Sequence, residues 1–174
     1  MTDHVLTAFL ERQRADGLAL AAQSDLVTLV PLPGTPPQRY LLQLRCKGLV
    51  RAATGEIAEA DRFLLGIWLP DDYLRHADPF RVLTWLEPAN VFHPNVRPPF
   101  VCIGRLTPRT PLVDIVYRAF ELVAYRRVTM REDDALDRDA CVWARRNRQH
   151  FPIDARPLKR RTTALHVVPA EARR

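Results

Sequence analysis

Six prolines fall within residues 87–111: Pro88, Pro94, Pro98, Pro99, Pro108 and Pro111. Proline fixes φ and lacks a backbone donor, so this stretch can be neither a sheet interior nor a helix interior. The same stretch holds Val91, Phe92, Phe100, Val101, Cys102 and Ile103. Apolar residues of that size need cover from water. The combination predicts a stiff irregular loop packed on the core and built around one cysteine.

The chain on either side reads as the scaffold for that loop. Residues 3–22 predict a helix, with Asp3 as its cap and Val5, Leu6, Phe9 and Leu10 on one face. Four strands are expected at 26–30, 39–46, 63–69 and 81–86, separated by turn signals such as Gly34-Thr35-Pro36-Pro37. In the second, Tyr40, Leu42, Leu44 and Cys46 alternate with Arg39, Gln43 and Arg45. Residues 48–55 read as a loop. Short connections between four strands predict an antiparallel meander.

After the proline-rich loop, Leu112, Ile115, Val116, Ala119, Phe120 and Val123 form a broad helical stripe. Thr110 is the expected cap, Pro111 the first helical residue, and Arg126-Arg127 the end. A last helix is expected over 137–149, acidic at its start, arginine-rich at its end and stopped by Pro152. The expected fold class is therefore α+β: an N-terminal helix, a four-stranded antiparallel meander, an active-site loop and two C-terminal helices. Residues 1–153 make one domain, and 154–174 read as a basic flexible tail.

Composition bounds the function. A chain of 174 residues with 47% hydrophobic and 26% charged residues suits one globular domain. No apolar run reaches the length of a membrane span, and the first residues do not have the layout of a signal peptide. A cytoplasmic protein with no membrane partner is expected. Three widely spaced cysteines, Cys46, Cys102 and Cys141, with no Cys-x-x-Cys pair, argue against a disulfide framework and against zinc. No cofactor is expected. The net charge of +6 invites a nucleic-acid reading, but the charge is scattered and no recognition-helix pattern or aromatic-basic interleaving accompanies it. Of 26 lysines and arginines only Lys47 and Lys159 are lysine. A GC-rich genome accounts for this, and so does an enzyme that gains from having few lysines of its own.

The segment Phe92-His93-Pro94-Asn95-Val96-Arg97-Pro98-Pro99-Phe100-Val101-Cys102-Ile103 resembles the active-site stretch of ubiquitin-conjugating enzymes. In that family a His-Pro-Asn tripeptide precedes the catalytic cysteine at nearly this spacing. Here the loop is one residue shorter. Leu69-Pro70-Asp71-Asp72-Tyr73 followed by Pro79 looks like the family's turn between its third and fourth strands. Asp133-Asp134-Ala135-Leu136 looks like its acidic gate, and 140–151, with Trp143, Asn147 and Phe151, is similar to the helix that follows. Some features depart from the common pattern. Pro99-Phe100-Val101 stands where a glycine is frequent, Gly104-Arg105 replaces the acidic residue after the cysteine, and the segment leading to the next helix is short and lacks the usual tryptophan. These departures resemble the bacterial branch of the family.

The resemblance implies that Cys102 carries a ubiquitin-like modifier as a thioester and passes it to an amine, a target-protein lysine above all. It implies an activating enzyme as partner, leaves a ligase open, and suggests a bacterial conjugation pathway with a part in antiphage defence. Asn95 either stabilises the oxyanion or holds the loop, and Asp134 either orients the attacking amine or is a solvated loop carboxylate. The alternative function is the same fold with a dead site, serving as a modifier- or partner-binding module. Cys46 and Cys141 read as small buried apolar residues, His93 as a buried structural ring, and Trp68, Trp85 and Trp143 as core.

Overall fold

Asp3 caps the first helix as the sequence predicts. In the computed structural model, which describes residues 3–160, its carboxylate accepts hydrogen bonds from the Val5 and Leu6 amides at 3.0 and 3.1 Å. Helix α1 (His4–Ala22) buries Leu6, Leu10, Gln13, Gly17 and Leu20, a helical repeat along one side. Val5, expected on that face, is exposed, because Leu6 and Leu10 take the inward positions. At Gly17 a Cβ would lie 2.8 Å from Leu29 and 2.9 Å from Leu112. Glycine lets α1 approach the sheet and the later helix at once, which outweighs its helix-weakening entropy. Gln13 seals the contact by accepting the Leu112 amide at 2.8 Å.

Strands β1 (Val27–Pro31), β2 (Arg39–Leu44), β5 (Phe63–Trp68) and β6 (Leu83–Glu87) pair antiparallel in chain order as the expected meander, but the sheet has six strands rather than four, because two short strands of the proline-rich stretch extend it beyond β6. Tyr40, Leu42 and Leu44 face inward, with Leu65, Ile67, Leu83 and Trp85 beside them. Each such side chain contributes about 1.5–3 kcal/mol through burial. Helix α3 (Leu112–Val123) closes the core with Leu112, Ile115, Val116, Ala119 and Phe120 buried.

Several expectations are corrected. Residues 48–55 are not a loop: β3 (Gly48–Arg51) and β4 (Ile57–Ala60) form a separate two-stranded ribbon. The fourth meander strand starts at Leu83 rather than Arg81, because Asp78 caps one turn of helix, α2 (Pro79–Val82). Thr110 does not cap α3. Its hydroxyl donates backward to the Thr107 carbonyl at 2.7 Å, and Pro111 occupies the cap position. Helix α3 ends at Val123, and α4 runs only over Arg138–Arg146, after which a single tight turn (Arg148–His150) leads to Pro152. Trp85 is core, but Trp68 and Trp143 are half-buried; Trp68 lies on the sheet's outer face with the Arg39 and Arg81 guanidinium groups each 5.2 Å from its ring centroid.

Residues 154–160, expected to open the tail, pack on the body. Leu158 joins the core, and Asp154 is 3% exposed. Asp154 takes the Arg156 guanidinium at 2.9 and 2.6 Å and the Lys47 amide at 3.2 Å. Those bonds hold its carboxyl down at about 2. Arg160 then reaches the end of α1, its amide bonded to the Gln23 carbonyl at 2.9 Å and its guanidinium paired with Asp25 at 2.8 Å. The rest of the expected tail, 161–174, lies outside the described residues.

Candidate functional site

The proline-rich segment leaves the sheet at the end of β6, and its large apolar residues anchor it. Phe92 is buried, and its amide bonds to the Leu49 carbonyl of the ribbon at 2.9 Å. The Trp85 indole donates to the Pro88 carbonyl at 2.8 Å. Two short strands, β7 (Val96–Arg97) and β8 (Phe100–Val101), turn through Pro98-Pro99, and β8 joins β6 through Thr84 and Phe100. Cys102 follows at once. Val101 and Ile103 point into the core, so extended-chain alternation turns the half-buried Cys102 the other way.

His93 is the inner support. It is 2% exposed, and its Nδ1 accepts the Asn95 amide at 3.0 Å. The neutral ring therefore carries its proton on Nε2, which makes no hydrogen bond of regular geometry among the described residues. Burial holds the imidazole down at about 3, so it stays neutral. The Tyr125 ring stands edge-on, 4.4 Å between centroids, and its hydroxyl donates to the Phe92 carbonyl. Burial pushes that phenol well above its ordinary range. The structural role expected for His93 fits this packing.

Asn95 is the junction. Its backbone carbonyl accepts the Cys102 amide at 2.8 Å. Its side-chain Nδ2 donates to the Cys102 carbonyl at 3.3 Å, and its Oδ1 accepts the Thr129 amide at 2.9 Å. One side chain thus ties the cysteine to the segment that follows α3. The neighbouring Pro94 carbonyl accepts the Leu136 and Asp137 amides at 2.8 and 3.1 Å, which fixes the acidic segment to the same loop.

These ties enclose a cavity of about 270 Å³ lined by Asn95, Cys102, Gly104, Arg127, Thr129 and Asp134, among others. All three sequence-predicted site residues line it. Asp134 ends a single turn, Glu132–Asp134, and its carboxylate pairs with Arg131 at 3.3 Å. Thr129, Gly104 and Arg127 were not singled out by sequence. Thr129 acts through its backbone, which leaves no side-chain signature. The Arg126-Arg127 pair reads as a helix end, yet its two members diverge: Arg126 reaches the Asp154 carbonyl, and Arg127 lines the cavity.

Cys46 and Cys141 are fully buried, as expected. Burial and the nearby Asp154 push the Cys46 thiol up to about 12, and burial pushes Cys141 up as well. Neither is a nucleophile in this state. Among the described residues, no group of three or more His, Cys, Asp or Glu side chains is placed to hold a metal ion, and no helix is long and apolar enough to cross a membrane.

Comparison of the chain with protein-family models, with curated proteins and with solved structures finds no match. The site is therefore read from its own geometry.

Proposed function

We propose that this chain is a ubiquitin-conjugating-like cysteine acyltransferase. It accepts a ubiquitin-like modifier from an activating enzyme as a thioester on Cys102 and passes it to a target amine, a lysine above all. The observation that carries the reading is the shared cavity. A half-buried thiol in a braced loop faces the same small space as one amide, Asn95, and one carboxylate, Asp134. The N-terminal helix, four-stranded meander, loop and later helices agree with a ubiquitin-conjugating fold.

The chemistry follows from those three groups. The Cys102 thiolate attacks the modifier's activated C-terminal carbonyl carbon and displaces the activating group. A target amine then attacks the thioester carbon. The new C–N bond forms, the carbonyl electron pair moves onto oxygen, and collapse of that oxyanion expels the Cys102 thiolate. Asn95 fixes the sulfur by gripping the Cys102 backbone on both sides. Of the two protons on its Nδ2, the second has no acceptor among the described residues and can reach a developing oxyanion. Among the described residues Asp134 is the only acid lining the cavity, suited to orient the amine and take its proton.

The test is a charging reaction. The protein is mixed with its activating enzyme, the modifier and ATP, then resolved on non-reducing gels. A modifier-sized adduct that thiol reagent removes supports the reading. An adduct that persists in Cys102→Ala would place the chemistry elsewhere, and no adduct with the wild type would leave the dead-site binding module as the better reading.

A further inference from the structure

Among the described residues, Arg127 is the one guanidinium lining the Cys102 cavity. No carboxylate among the described residues pairs with it, whereas the cavity's acid, Asp134, faces Arg131 at 3.3 Å in an exposed pair. The backbone makes room for Arg127. Gly104, two residues after the cysteine, sits at φ +80, and a Cβ there would lie 3.2 Å from the Arg127 Nη2. The left-handed backbone calls for glycine there, and its missing side chain leaves the space in which the guanidinium lies. The Arg127 backbone is pinned as well, its amide bonded to the Glu121 carbonyl at 3.0 Å at the end of α3.

Asn95 also offers a donor to the cavity, but it is neutral, with one of its two Nδ2 protons given to the Cys102 carbonyl and its Oδ1 held by Thr129. A cation that lines the same cavity as the thiol and has no carboxylate partner among the described residues is where negative charge in this cavity is best received. We infer that Arg127 is a catalytic residue of the acyl-transfer step: its guanidinium receives the negative charge that develops on the carbonyl oxygen of an acyl group held on Cys102. The inference rests on the acyl-transfer reading of that cysteine. As amine nitrogen bonds to the acyl carbon, the carbonyl electron pair moves to oxygen and is met by Arg127. Breakage of the C–S bond returns the pair and releases the thiolate, and the amine proton leaves to Asp134 or solvent. Asn95 then acts chiefly as a positioning residue.

Two measurements on the full chain test this without any modifier. Cys46 and Cys141 are buried, so alkylation of the folded protein reports Cys102 alone. The ratio of iodoacetate to iodoacetamide rates reads the charge beside the sulfur. Arg127→Gln is expected to lower that ratio roughly fivefold, the effect of one charge acting at about 4 Å in water-like surroundings. Arg127→Lys should restore it, and Arg105→Gln, whose charge lies outside the cavity lining, should leave it unchanged. In the second measurement, thiophenyl acetate acylates Cys102 with loss of thiophenolate, and hydroxylamine then removes the acetyl group. Arg127→Gln should slow that aminolysis by about 100-fold, the usual effect of losing one oxyanion donor. An unchanged alkylation ratio, or a lowered ratio with unchanged aminolysis, overturns the inference. Because the acyl group is small and synthetic, this result is separate from the modifier-charging assay, and either can fail while the other stands.

Discussion

Asn95 and Cys102 grip each other reciprocally: the Cys102 amide donates to the Asn95 carbonyl at 2.8 Å, and the Asn95 side chain donates to the Cys102 carbonyl at 3.3 Å. With Oδ1 held by Thr129, removal of the side chain breaks two hydrogen bonds in a half-buried place. Asn95→Ala is expected to lower unfolding free energy by about 1–3 kcal/mol, read by urea denaturation. Discharge of loaded Cys102 to lysine should slow as well. If stability falls while single-turnover discharge is unchanged, Asn95 only holds the loop.

The three cysteines should separate cleanly by reactivity. Ellman's reagent at pH 8 is expected to titrate one thiol in the folded protein and three after denaturation, since Cys46 and Cys141 are buried. Cys102→Ala should remove the fast thiol and all modifier charging. Cys102→Ser should form an oxyester adduct that resists thiol reagent. A fast thiol remaining in Cys102→Ala would show that the buried cysteines open readily.

His93 predicts a pH dependence of stability. Its folded value, about 3, lies below the ordinary 6.5, so the unfolded chain binds the proton more readily. The folded state keeps its full advantage above about pH 6.5 and loses it progressively as pH falls toward 3. Imidazole carbon shifts of His93 should stay those of the neutral ring from pH 7 to pH 4. A His93 titration near 6.5 would show that the ring is not sealed.

Asp154 predicts a loss at lower pH. Its folded value of about 2 lies below the ordinary 3.8. Its contribution is present above about pH 4 and disappears as pH falls through 2. Asp154→Asn should cost about 2 kcal/mol at pH 7, the size of one buried charge-assisted interaction, and the difference from wild type should shrink below pH 3. Equal stability of the two proteins at pH 7 would contradict the buried pairing with Arg156.

The fold was legible where one residue type had one job. The Asp3 cap, the inward row of Tyr40, Leu42 and Leu44, and the stripe from Leu112 to Val123 each follow from local periodicity. Local signals failed where a partner distant in sequence decides. Residues 48–51 look like a loop because the strand is short, yet pairing with 57–60 makes it a ribbon. Thr110 has the right chemistry for a cap, but Thr107 offers its hydroxyl a nearer acceptor. In the site, Cys102, Asn95 and Asp134 were marked by motif resemblance and line one cavity. Arg127 was not, because the property that distinguishes it is the missing counter-charge among the described residues, and that emerges only once their carboxylates have been placed.

The packing of residues 154–160 bears on how the protein should be produced. A fragment cut at 153, the boundary that composition suggests, would discard Leu158 from the interior and the carboxylate that braces Lys47 and Arg156. A protein ending at 153 would lose part of its interior, so expression should extend at least through Arg160.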